Sequence, residues 1–85
     1  MKVWLDTKRQ PEVDWVWVRT AGGAISLLRG GNVDRFSFAP DQRDLVSEVV
    51  DWMIANEIHP ARREIHPRTG GVKSRALLKI RKQAS

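Results

Sequence analysis

The sequence predicts an α/β fold of about four mostly parallel strands and three helices. Three observations carry that expectation. Short runs rich in β-branched and aromatic residues alternate with stretches whose apolar residues recur at helical spacing. Such alternation implies crossover connections and a parallel sheet. The first run, Lys2-Val3-Trp4-Leu5-Asp6, is nearly continuous apolar sequence with a carboxylate at its end, as a strand covered on both faces is. Asp6 therefore falls at the carboxyl end of a parallel strand, where open sheets of this class bind their ligands.

Taken in order, the first strand is followed by a loop over 7–14, punctuated by Gln10-Pro11-Glu12. Val13-Asp14-Trp15-Val16-Trp17-Val18-Arg19 reads as a second strand, with Trp15 and Trp17 on one face and Val16 and Val18 on the other. The loop before it is too short to hold a helix, so this strand belongs at an edge beside the first. Thr20 caps a helix over Ala21 to Leu28, and Gly30-Gly31 stops it. Gly22 and Gly23 weaken that helix by about 1 kcal/mol each relative to alanine.

Arg35-Phe36-Ser37-Phe38 is a short third strand. Asp41 or Asp44 then caps a helix over about 41–56, whose apolar face is Leu45, Val46, Val49, Val50, Trp52, Met53 and Ile54. Arg62 to His66 forms a fourth strand and Pro67 to Gly71 a turn. A last helix over about 72–82 turns Val72, Ala76, Leu77 and Ile80 inward, with Arg75, Lys79 and Lys82 along an outward stripe.

The 85 residues make one domain, 41% apolar and 29% charged, the balance of a soluble globular protein. There is no apolar run of about 18 residues, so no membrane span is expected. The start lacks a secretory pattern, which makes the cytoplasm the natural location. With no cysteine, disulfides, thiolate chemistry and cysteine-held metals are excluded. The net charge of +5 is unevenly spread: before Arg62 there are seven basic and nine acidic residues. From there on, Arg62, Arg63, Arg68, Lys73, Arg75, Lys79, Arg81 and Lys82 face Glu64 alone. That asymmetry points to an anionic partner or, more blandly, to a solvated face.

Lys2-Val3-Trp4-Leu5-Asp6, Trp15-Val16-Trp17-Val18-Arg19-Thr20-Ala21 and Ala24-Ile25-Ser26-Leu27-Leu28 resemble the compact receiver-like domains named for predicted cyclic-phosphate processing. The resemblance implies a minimal flavodoxin- or receiver-like three-layer fold that lacks one early helix, in keeping with the short first loop. In that family the first strand ends in two acids followed by a charged residue and an arginine; here the run is Asp6-Thr7-Lys8-Arg9. Its third strand ends Leu-Asp-His-Asp, against Phe38-Ala39-Pro40-Asp41, so Ala39 stands at the phosphoacceptor position. Its fourth strand ends His-Ser before an asparagine-containing turn, against His66-Pro67-Arg68-Thr69-Gly70-Gly71. The resemblance thus implies a degenerate member with its active-site motifs largely lost.

The expected function is a non-catalytic binding module, a pseudoenzyme whose Arg62, Arg63, Arg68, Lys73, Arg75, Lys79 and Lys82 recognise an acidic protein surface or nucleic acid. One alternative is a phage or mobile-element inhibitor of a host or defence complex, of the anti-CRISPR kind. Another is a divergent phosphoesterase or sensor of cyclic or terminal phosphates, with Asp6 and His66 as catalytic residues; a histidine of ordinary pKa suits acid–base work. Arg68, Gly70 and Gly71 before the last helix form a candidate phosphate site, and Thr20-Ala21-Gly22-Gly23 a weaker one. The four tryptophans could stack single-stranded bases, but core and lid positions are expected for them. Asp6, alone or with Asp41, is too thin a set of oxygen ligands for a predicted metal, and no cofactor is expected.

Overall fold

The computed structural model describes residues 1–68. Their elements are β1 (Lys2–Leu5), β2 (Val16–Val18), α1 (Ala21–Arg29), β3 (Arg35–Phe38), α2 (Arg43–Asn56) and β4 (Arg62–Ile65). The strands form one sheet in the order β2-β1-β3-β4, and every pairing is parallel. The described residues hold two helices rather than three, since the helix expected over 72–82 lies outside them.

The chain steps from β2 over β1 to β3, and from β3 on to β4, in the same direction across the sheet. Crossovers of one hand then place both helices on the same face. Val3 and Leu5 of β1 and Phe36 and Phe38 of β3 meet Ala21, Ala24 and Leu28 of α1 and Val49 and Met53 of α2 there, in one buried cluster. Each large side chain taken from water in this way contributes roughly 1.5–3 kcal/mol. The opposite face carries Trp4, Asp6, Ser37 and His66, all buried. Trp15 packs on it from the loop before β2, its ring edge against Trp4 at 5.6 Å. Among the described residues, the layer on that face is a loop and not a helix.

The element ends show where local chemistry yields to the site. The second strand is shorter than expected: Val13 is fully exposed, and Trp15 N–H closes a turn onto the Glu12 carbonyl at 3.1 Å. Thr20 caps α1 as anticipated, its hydroxyl accepting from Gly23 N–H at 3.0 Å. At α2 the expectation fails, because neither Asp41 nor Asp44 caps the helix. Gln42 occupies that position and its side chain makes no capping bond. Gln42 and Asp41 are both drawn to the end of β1.

Candidate functional site

Asp6 follows the last residue of β1 and is pinned from both sides by its backbone. Its N–H donates to the Val18 carbonyl at 3.1 Å, and its carbonyl accepts from the Trp17 indole N–H at 2.8 Å. The register pairs Trp4 with Ser37 and Ser37 with Glu64, so His66, two residues further, shares their face at the strand tips. The His66 N–H continues the ladder onto the Phe38 carbonyl at 3.1 Å.

The Asp6 carboxylate has no exposed surface and five donors. Oδ1 accepts from Lys8 N–H at 2.8 Å, Arg9 N–H at 3.0 Å and Gln42 Nε2 at 2.8 Å. Oδ2 accepts from Arg9 Nη1 at 3.1 Å and His66 Nε2 at 2.7 Å. The two backbone donors arise from a turn that an aspartate forms readily with residues two and three further on. Arg9 also forks onto Asp41, with Nη1 to Oδ1 at 2.8 Å and Nη2 to Oδ2 at 2.7 Å. The His66 ring lies flat on Trp4, centroids 3.7 Å apart and planes within 9°, and its Nδ1 is 2.9 Å from Ser37 Oγ. Trp4 closes the circuit by donating its indole N–H to the Arg9 carbonyl at 2.8 Å.

Protonation states follow. Burial alone would raise the Asp6 pKa, but the bond from His66, the Lys8 and Arg9 amides and Gln42 reverse this and hold the carboxyl far below the usual range. Burial lowers the His66 pKa below 6.5 although Asp6 opposes it, so the ring is neutral near pH 7. An ionised carboxylate only accepts, which assigns the ring proton to Nε2 and leaves Nδ1 to accept from the Ser37 hydroxyl. Hydrogen bonding to Asp41 raises the Arg9 pKa against the cost of burial, and the same bond holds Asp41 below its ordinary value.

A serine, a histidine and an aspartate in a hydrogen-bonded row invite comparison with a hydrolytic triad. The comparison fails on access. Ser37 has no exposed surface, His66 retains 3%, and both ring nitrogens are engaged. A general base must reach its substrate's proton within hydrogen-bond distance or through one water. The donor set does not fit a divalent cation either: Asp6 is saturated, and Arg9 stands as the cation between it and Asp41. Among the described residues no cluster of three or more histidine, aspartate or glutamate side chains could hold a metal.

The structure thus brings the candidate catalytic pair, Asp6 and His66, into direct contact and joins Asp41 to them through Arg9. It does not leave Asp6 as an exposed strand-end acid. Arg62, Arg63 and Arg68 are exposed, and the Arg68 carbonyl accepts from Arg9 Nε at 2.5 Å. Lys73, Arg75, Lys79, Lys82, Gly70 and Gly71 lie outside the described residues. Trp4 and Trp15 are buried, and Trp17 is half-buried under the Arg19 guanidinium at 4.0 Å. Two site residues escaped the reading of the sequence. Ser37 had a signal, a lone polar residue between Phe36 and Phe38 in a buried strand. Gln42 had none, because a glutamine before a helix is ordinary.

A parallel sheet whose strand tips gather Asp6 after β1, Ser37 and Asp41 from β3 and the loop beyond it, and His66 after β4 defines a receiver-like α/β domain. A family model described as "Cyclic-phosphate processing Receiver domain" matches residues 1–75, and the chain belongs to that family. No curated protein and no solved structure matches the chain significantly.

Proposed function

We propose that this domain is a non-catalytic binding module that recognises an anionic partner, an acidic protein surface or a nucleic acid, through its basic carboxy-terminal third. The observation that carries the reading is the saturated Asp6 carboxylate, with five internal donors and no exposed surface. A group so satisfied acts as a structural counter-ion, and moving a ligand onto it would first break those bonds. Ala39, at the phosphoacceptor position of the family, carries no carboxylate to phosphorylate. Arg62, Arg63 and Arg68 offer exposed guanidinium groups suited to carboxylate or phosphate.

Charge reversal tests it. Capture experiments from the native host, with and without nuclease, compare wild type, Arg62→Glu with Arg63→Glu, Arg75→Glu with Lys79→Glu and Lys82→Glu, and Asp6→Asn. The reversals are expected to lose the partner and Asp6→Asn to keep it. If the partner is nucleic acid, affinity falls with salt at a log–log slope of about −0.7 to −0.9 per phosphate contact. Hydrolysis of a nucleoside 2′,3′-cyclic phosphate by wild type, abolished by Asp6→Asn, would contradict the proposal and favour the divergent phosphoesterase.

A further inference from the structure

Beside β4 the described residues leave an apolar groove on the helix face of the sheet. Phe38, Val50, Met53, Ile54 and Ile65 line its volume of about 580 Å³, and Ile54 and Ile65 are 63% and 70% exposed. The β3–β4 register sets Arg63 and Ile65 on this face and Arg62 and Glu64 on the other. Two exposed acids flank the groove: Asp51 stands one turn before Ile54 on α2, and Glu57 follows Ile54 at the end of the helix. Among the described residues neither acid is paired with a cation. An occupant of this groove is therefore apolar on one side and basic beside it. The chain's own continuation has that chemistry. Val72, Ala76, Leu77 and Ile80 recur at helical spacing, and residues 69–85 carry Lys73, Arg75, Lys79, Arg81 and Lys82 with no acidic side chain.

We propose that residues 72–82 of the chain itself seat in this groove, and that the seated segment completes the cationic face that meets the anionic partner. The reach is right. Arg68 follows three residues after Ile65, and its carbonyl is held by Arg9 Nε at 2.5 Å. Val72 lies within about 14 Å of it along the chain, and a helix over 72–82 is about 16 Å long, enough to run the length of β4. Val72, Ala76, Leu77 and Ile80 then cover Ile54 and Ile65, and the segment's positive charge offsets Asp51 and Glu57. The other face of β4 offers an apolar stripe no such seat: Arg62 is exposed there and Glu64 is paired with Arg35. Arg75, Lys79 and Lys82, on the stripe left outside, join Arg63 and Arg68 in one surface. The second half of the inference rests on the binding-module reading and says how its surface is assembled.

The chain has no cysteine, so introduced pairs report proximity directly. In the full chain, Leu77→Cys is combined with Ile54→Cys, with Ile65→Cys and, as a control on the far edge strand, with Val16→Cys. A disulfide needs Cα atoms within about 7 Å of each other. Oxidised in dilute solution, the pairs with Ile54→Cys or Ile65→Cys are expected to close within one chain at least tenfold faster than the pair with Val16→Cys. Equal rates, no closure, or dimers linked between chains would each overturn the seat. Leu77→Asn with Ile80→Asn then removes apolar contact without altering charge. It is expected to weaken binding of a single-stranded oligonucleotide or a polyglutamate peptide, whichever wild type binds, at least tenfold. Unchanged ¹⁵N signals of Ser37 and His66 check that the fold persists, and the disulfide test does not depend on this variant. Unweakened binding would overturn the assembled face while leaving the anionic-partner reading standing. Binding of neither probe by wild type, with the disulfide formed, would overturn that reading and the assembled face and leave the seat.

Discussion

His66 ties together the loop-covered face of the sheet in its neutral form. Its ring lies on Trp4, donates to Asp6 and accepts from Ser37, and burial lowers its pKa below that of an unfolded histidine. The unfolded chain therefore binds more protons at and below pH 6.5, and stability must fall as pH drops through that range. The Asp6 pKa is also depressed, so its contribution is present above about pH 4 and is lost below it. Urea unfolding from pH 8 to pH 3 is expected to show stability level above pH 7 and declining in two stages. His66→Gln, which cannot titrate, is expected to remove the stage between about pH 7 and 5 and keep the lower one. Asp6→Ala is the harsher change. It strands Arg9, Gln42 and His66 donors in a closed site, and breaking such a buried pair costs about 3–5 kcal/mol. A domain of 85 residues has roughly 4–13 kcal/mol in total. The variant is expected to be largely unfolded at 37 °C by circular dichroism, with Asp6→Asn milder.

At the scale of elements, α2 gives up its own cap for the site. Gln42 donates to Asp6 at 2.8 Å and accepts from Thr7 N–H at 3.0 Å, and its side chain makes no bond to the helix amides. An aspartate there would be a good cap in an isolated helix. Here Gln42→Asp removes a donor and brings a second negative charge to Asp6, so it is expected to lower the melting temperature. A helix governed by its cap alone would melt higher. The other end of α2 stops at Glu57, whose φ of 52° is left-handed backbone. A non-glycine residue pays about 1–2 kcal/mol for that conformation. Glu57→Gly is exposed and expected to stabilise by less than about 1 kcal/mol, because glycine loses more entropy on folding. Thermal unfolding checks both changes.

For the whole molecule, the edge position of β2 beside β1 could be reasoned out because there is no room for a helix between them, and parallel pairing because strands alternate with helices. The limits of β3 were legible from Arg35 to Phe38, where turn residues flank a dense apolar run. The one-sided packing of α1 and α2 was less legible. Trp4 and Trp15 make the second face apolar in sequence, whereas in space a loop covers it. The site was half legible: Asp6 and His66 stand out as strand-end residues. Their direct contact depends on the β1–β3–β4 register, which no local pattern encodes. The fork from Arg9 to Asp41, thirty-two positions away, was not legible, because it exists only once β1 and β3 lie side by side.

The strand-tip carboxylate is committed to the protein's own donors. Adding stoichiometric Mn²⁺ to the ¹⁵N-labelled protein near pH 7 and following paramagnetic broadening tests that commitment. The Asp6, Lys8, Arg9 and His66 amide signals are expected to keep their widths. Selective broadening of those signals at one equivalent of metal would contradict it, since a cation would then have displaced Arg9 and entered a working receiver pocket.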